Sequence, residues 1–216
     1  MKRNKRRHFL VPILLVAAMV VSVTGCGEKF DASRYVKGCL DASTKGVFED
    51  YVAMTNTTEE QAKKEYEERM NSEVEAMTGS ISMSEEMQEK YRTLYKDIYS
   101  KYKYEVGEAK EGENDSFTVP VKTYRLKIFE KTMEETQTKV EEEVKKNKSA
   151  STEETMQLYL ETLANVLTEK LQNPEYGEEE TIEVNLSVNS SSNEYEMSSA
   201  DVTKLFAALD DVGQAQ

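Results

Sequence analysis

Tryptophan is absent from this 216-residue chain, which contains only one histidine, two cysteines and three prolines. The histidine, His8, lies in a basic N-terminal stretch, so the rest of the chain has no imidazole. Beyond that stretch this excludes Ser-His-Asp and Cys-His nucleophilic triads, the HExxH helix and any histidine-ligated zinc site. No P-loop and no GxGxxG motif occurs. Of the common catalytic arrangements, only paired carboxylates or a Ser-Lys pair remain, and no residues stand out for either. Basic residues are also scarce, 28 Lys and Arg against 41 Asp and Glu. Nucleic-acid binding depends on neutralising phosphates with Lys and Arg, so an acidic balance argues against it.

The basic residues that do occur are unevenly placed. Lys2, Arg3, Lys5, Arg6 and Arg7 crowd the first eight positions, with no acid among them. Phe9 to Val23 (FLVPILLVAAMVVSV) is apolar apart from Ser22, and Thr24 and Gly25 precede Cys26. A charged segment, a short apolar run and small residues form the layout of a secretory signal. The run is shorter than the roughly 20 residues a spanning helix needs.

The string VTGC at 23–26 resembles the lipobox of bacterial lipoproteins: an aliphatic residue, two small ones and a cysteine. The resemblance implies cleavage between Gly25 and Cys26, with acyl chains such as palmitate on the new N-terminus. A thiol is the nucleophile that can accept a diacylglyceryl group as a thioether, and two or more chains anchor a protein stably where one does not. The alternatives are an ordinary cleaved signal with an incidental cysteine, or an uncleaved helix. With residues 1–25 removed, the 28 basic residues become 23 against 41 acids, a formal charge of −18 on the mature chain. With Cys26 lipidated, Cys39 is the one remaining thiol, so no intramolecular disulfide is available unless Cys26 escapes lipidation.

Past residue 30 the apolar spacing predicts helices first. One runs from Asp31 or Ser33 as N-cap through Tyr35, Val36, Cys39, Leu40, Val47, Phe48, Tyr51 and Val52. A second starts at the capping-box pattern TTEE (57–60) and carries Ala62, Tyr66, Met70, Val74 and Met77, with Gly79 and Ser80 interrupting it. A third starts near Ser84 and carries Met87, Tyr91, Leu94, Tyr95, Ile98 and Tyr102. The period then switches to two. Tyr104 and Val106 lead into a turn at 111–116, and Phe117, Val119 and Val121 are followed in opposite phase by Tyr124, Leu126 and Ile128. That slip predicts a bulge near Lys122 and Thr123. Pro120, which cannot donate to a ladder, predicts that this strand has an unpaired side.

Residues 131–147 read as a charged helix with a thin stripe of Met133, Val140 and Val144, its acids early and its lysines late as the helix dipole favours. It is expected to be a solvated helix or a mobile docking element. After a linker at 147–152, the capping box STEE (151–154) opens a helix carrying Met156, Tyr159, Leu160, Leu163, Leu167 and Leu171, which Asn173-Pro174 stops. Ile182, Val184, Leu186 and Val188 form a strand, 189–193 a turn, and Tyr195 and Met197 the return strand. A last helix carries Val202, Leu205, Phe206 and Leu209. The expected fold class is therefore α+β, with N-terminal helices and a C-terminal helix packed on an antiparallel sheet made from two hairpins. The expected organisation is a signal peptide (1–25), a lipid anchor and tether (26–30), one extracytoplasmic domain (31–211) and a tail (212–216).

The strings FDASRYVKGCLDAS (30–43), YEVGEA (104–109) and NPEYGEEETIEV (173–184) resemble those of a family of uncharacterised lipoprotein domains found mainly in Gram-positive bacteria. A hairpin returning into a short terminal helix is also similar to small exported domains of the nuclear-transport-factor-2-like superfamily. In that superfamily helices close over a curved sheet to make a pocket. Two helices inserted between the hairpins depart from that pattern.

Candidate site residues are few. Tyr91, Tyr95, Tyr99 and Tyr102, with Tyr104, form the densest aromatic patch, and tyrosines can line a groove for sugar or peptide. Tyr91, Tyr95 and Tyr102 equally follow the buried stripe beside Leu94 and Ile98. The acidic runs at 177–180 and 112–115 could offer oxygens to calcium, but neither has EF-hand spacing, and solvated loop charge is the expected reading. Cys39 lies on an apolar helix face as a small hydrophobe. Asn185 and Asn189 begin glycosylation-like triplets that carry no information in a bacterium. No cofactor, metal or catalytic residue is expected. The functional expectation is a non-catalytic binding or interaction domain, held to the extracytoplasmic side of the cell membrane through Cys26. A basic protein or cell-envelope component would be its partner, and nucleic acid would not. The alternative is the substrate-binding component of a membrane importer.

Overall fold

The structure is a computed structural model that describes residues 29–78, 81, 83–146, 150–190 and 193–211. The expected signal segment, Cys26, Gly79, Ser80, half of the linker at 147–152 and the tail lie outside the described residues. The elements run in the order α1 (Ala32–Lys45), α2 (Glu49–Met54), α3 (Glu59–Thr78), α4 (Glu85–Ser100), β1 (Lys103–Val106), β2 (Lys110–Glu111), β3 (Phe117–Leu126), α5 (Thr132–Lys146), α6 (Thr152–Gln172), β4 (Tyr176–Asn189), β5 (Glu194–Met197) and α7 (Ser199–Leu209). The fold is α+β. Strands pair antiparallel in the order β1-β3-β4-β5, with β2 beside β1 on the same edge of β3. The two hairpins thus join as one sheet through β3 and β4.

The first helix stops earlier than its apolar spacing suggests. Asp31 caps α1 by accepting from the Arg34 N–H at 2.9 Å, but Gly46 ends it in the left-handed conformation (φ 64°), which glycine adopts without steric cost. The chain turns, Val47 is left 51% exposed, and α2 packs back on α1. Gly38 permits that contact, because a Cβ there would meet the Tyr51 nitrogen at 2.8 Å. The next cap sits one residue later than TTEE implies. Thr58 and Gln61 form the reciprocal pair, with the Thr58 N–H donating to Gln61 Oε1 and the Gln61 N–H to Thr58 Oγ1. Ser84 caps α4, and Ser151 with Glu154 caps α6 in a complete capping box.

Two buried clusters follow from the layering. Tyr35, Val36, Cys39 and Leu40 of α1 meet Val119, Val121, Val184 and Leu186 on the inner face of the sheet, with Leu205 of α7. Met70 and Val74 of α3, Leu94 and Ile98 of α4 and Leu160, Leu163 and Leu167 of α6 form the second, with Leu126, Ile128 and Leu209. Tyr66, Tyr104 and Phe206 pack against both. The outer sheet face is polar, with Lys122, Glu179, Thr181 and Glu183 exposed.

Three expectations are corrected here. The slip in β3 falls between Tyr124 and Leu126, beyond Lys122 and Thr123. Thr123 keeps the inward phase and is fully buried, because its hydroxyl donates to the Glu180 carbonyl at 3.1 Å. β3 is an interior strand, and Pro120 lies opposite the break between β1 and β2, where its carbonyl accepts from the Gly107 N–H at 2.8 Å. The missing donor therefore faces a gap in the neighbouring strand, where no partner needs it. In α5, threonines form the buried stripe with Val140, namely Thr132 and Thr136, whereas Met133 is 52% exposed.

Candidate functional site

The densest set of interacting titratable groups lies where α3, α4 and the end of α7 meet. On α3, Arg69 and Glu73 are one turn apart, beside the buried Met70 and Val74. On α4, Tyr95 and Tyr99 are likewise one turn apart, with ring centroids 6.1 Å from each other. Tyr102 follows, 5.2 Å from Tyr99. The Tyr99 hydroxyl lies beside Glu73, and the Tyr102 hydroxyl donates to Asp210 Oδ2. The Arg69 guanidinium lies 4.9 Å from the Tyr99 ring centroid and donates to the Ser43 carbonyl of α1. The seam thus ties four helices through two carboxylates, three phenols and one guanidinium.

Burial dominates the electrostatics of this seam. It pushes the Glu73 carboxyl above its ordinary range, against the Tyr99 hydroxyl and the Arg69 charge, which pull it down. It raises Tyr95, Tyr99 and Tyr102; the nearby Glu73 charge raises all three further, and the Asp210 charge raises Tyr95 and Tyr102. Phenols so raised stay protonated, and Tyr102 uses its proton to bond Asp210.

The four tyrosines singled out from the sequence therefore divide. Tyr95, Tyr99 and Tyr102 meet in the seam. Tyr91 is fully buried elsewhere in the same cluster, and its hydroxyl donates to the Leu160 carbonyl of α6 at 2.7 Å. Tyr104 belongs to a second polar knot, where its hydroxyl meets Asp41 at 2.6 Å and Thr44 at 3.0 Å. Asp41 also accepts from Lys37 at 2.5 Å and Lys45 at 2.9 Å. Burial alone would raise Asp41, yet the Lys37, Tyr104 and Lys45 hydrogen bonds hold it below the usual carboxylate range. Cys39 is buried, and burial pushes its thiol up to about 12, which suits a core side chain and not a reactive one.

Residues 177–180 lie in β4, a strand and not the loop their composition suggests. Lys122 pairs with Glu179 at 3.1 Å, and Arg125 with Glu180 at 3.5 Å. The 112–115 run does form a turn, with Asn114 and Asp115 at positive φ. Among the described residues no group of three or more His, Cys, Asp or Glu could hold a metal ion.

Two cavities stand out. One of about 10 Å³, the size of a single water, borders the seam at Arg69 and is also lined by Tyr51; among the described residues the Tyr51 hydroxyl and Arg69 Nε are buried without partners. The other, about 330 Å³, is an open polar groove where Lys127, Lys131 and Lys170 alternate with Glu130, Glu135 and Glu175. Lys170 is engaged there by Glu135 at 3.2 Å and by the Glu130 carbonyl.

The architecture has a solved counterpart. The fold is similar to that of a bacterial "putative lipoprotein". That protein is ycdA of Bacillus subtilis, whose crystal structure matches at a TM-score of 0.60 and 16% identity, covering 84% of this chain and 56% of that one. The chain thus spans a little over half the length of the solved protein, and at this identity the likeness is one of fold. No family model matches the chain, and no curated protein matches it.

The sequence reading missed Arg69, Glu73 and Asp210. A signal was present for the first two, an Arg–Glu pair at i, i+4 running alongside the apolar stripe of α3. Asp210 directly follows Leu209, and only the crossing of α7 brings it to Tyr102.

Proposed function

We propose that the chain is a lipid-anchored, non-catalytic binding domain on the outer side of a bacterial plasma membrane. The observation that carries this reading is the VTGC string after its basic and apolar leader, three residues before the fold begins at Phe30. Phe30 supports it by starting the domain firmly. Its ring stacks on Tyr195 at 4.0 Å with planes 4° apart and lies 5.7 Å from Phe117. Phe117 opens β3 opposite Leu186, near the far end of β4, so both hairpin turns lie at the end of the sheet where the anchor enters. Residues 27–29 span roughly 10 Å at full extension. That end of the sheet therefore faces the bilayer, and α5 and α6, inserted at the opposite end, point away. A net charge of −18 disfavours close approach to anionic headgroups beyond this short tether.

The non-catalytic reading is supported by the seam, whose two carboxylates face Tyr99 and Tyr102. Among the described residues no helix is long and apolar enough to cross a membrane. The test is metabolic labelling with an alkynyl fatty acid in a bacterial host, followed by membrane fractionation. Wild type is expected in the membrane fraction and labelled, and Cys26→Ser is expected to lose the label. A Cys26→Ser chain that is still labelled would refute the anchor.

A further inference from the structure

We infer that the lower edge of β4, Glu179–Glu183, is a docking edge for an extended basic segment of another protein, which adds to the sheet as a strand. The register defines the edge. In an antiparallel ladder the N–H and C=O of one residue point to the same side, and successive residues alternate sides. Pro120 turns its carbonyl to Gly107, away from β4, so its partner Glu183 turns its own N–H and C=O away from β3. Thr181 and Glu179, two and four residues earlier, do the same. Higher on this side, the Asn185 carbonyl accepts from the Ser198 N–H at 2.8 Å and the Asn185 N–H meets Asp201, while β5 covers only Leu186–Asn189. Among the described residues, no strand pairs with Glu179, Thr181 and Glu183 on this side. Glu178 to Thr181 and Glu183 are all exposed.

Charge selects the occupant. Glu178, Glu179, Glu180 and Glu183 crowd the strand, and the two cations paired to it, Lys122 and Arg125, belong to β3 on the opposite flank. A second copy of the chain fits poorly. The two-fold register centred on Thr181 would set Glu179 opposite Glu183 of the other copy, and like charges directly opposite destabilise a strand pair. A partner strand with lysine or arginine opposite Glu179 and Glu183 has complementary charge on the outer face. An apolar residue between them would meet the half-buried Ile182 on the inner face. Main-chain bonds would supply affinity and the alternating side chains specificity. This deepens the reading of a binding domain by naming the form of the partner. It rests on the sheet edge and not on the anchor, so loss of labelling at Cys26 and loss of strand binding are separate outcomes.

The probe is the capped nonapeptide Lys-Val-Thr-Val-Lys-Val-Thr-Val-Lys, titrated by calorimetry into the full chain in detergent. It is expected to bind, and the same peptide with Glu in place of Lys is not. Thr181→Pro deletes one donor on the free edge. Proline is tolerated where the strand N–H faces solvent, so the variant is expected to melt near wild type yet bind about tenfold more weakly, the equivalent of one backbone hydrogen bond. Glu183→Lys is expected to weaken binding with the fold unchanged. Absence of binding to wild type, or binding that neither substitution weakens, would overturn the inference. So would a dimer by light scattering that Thr181→Pro dissolves, since the occupant would then be a second copy.

Discussion

Replacing Tyr102 by Phe separates a tyrosine seam that holds the fold from one that lines an open groove. Tyr102 is 4% exposed, at the end of α4, and its hydroxyl reaches Asp210 just after α7. Phe preserves the ring and its contact with Tyr99, so the change removes one hydrogen bond and little packing. A hydrogen bond to a charged acceptor contributes about 1.5–3 kcal/mol. For a domain of this size each kcal/mol moves Tm by about 2–4 °C, so Tyr102→Phe is expected to lower Tm by roughly 3–12 °C. The assay is thermal unfolding by circular dichroism at pH 7. A tyrosine presented to a ligand would lose a solvated hydroxyl, and such exposed changes stay within about 0.5 kcal/mol. A Tm within 1 °C of wild type would refute the seam as a structural tie.

Two further outcomes concern the carboxylates. Asp41→Ala leaves the Tyr104 hydroxyl without its carboxylate and is expected to cost about 1.5–3 kcal/mol at pH 7. Because the folded carboxyl lies below its ordinary 3.8, this stability is fully present above that value and is lost as pH falls through the folded value. Urea midpoints of wild type and variant should therefore converge in acid, and a constant gap down to pH 2 would refute the assignment. Glu73 is opposite in sign. Its folded carboxyl is raised above 4.5, so its ionisation opposes folding as pH rises, and Glu73→Gln is expected to match or exceed wild type in urea midpoint at pH 7. A clear loss of stability in that variant would show that the attraction of the Arg69 charge outweighs burial.

The sheet and most helices are legible in the sequence because their patterns are local. Ser151 with Glu154, Ser84, and the alternation from Ile182 to Val188 each announce themselves within a few residues. The discrepancies arise where a polar residue takes a buried place by bonding to backbone. Thr123 satisfies its hydroxyl on Glu180 and thereby hides the true position of the slip. Thr132 donates to the Ile128 carbonyl at the start of α5, and an apolar count passes over it in favour of Met133. The start of β4 was obscured differently, since four glutamates within 178–183 look like loop charge although the strand exposes both their faces. The seam was half legible. Its tyrosines stand out in α4, but their acidic partners come from α3 and from beyond α7.

The placement of α5 and α6 carries a consequence for the order in which the molecule can assemble. β3 and β4 form the longest ladder, yet residues 127–175 separate them in the chain. Closing so long a loop costs entropy before any ladder contact offsets it, which favours prior collapse of the inserted helices into a compact unit. Even then neither core is sealed, for Leu205 completes one cluster and Leu209 the other, and both belong to the last helix. A chain that emerges N-terminus first thus gains its finished interior only when α7 arrives. Until then the apolar inner face of the sheet lacks the last of its cover.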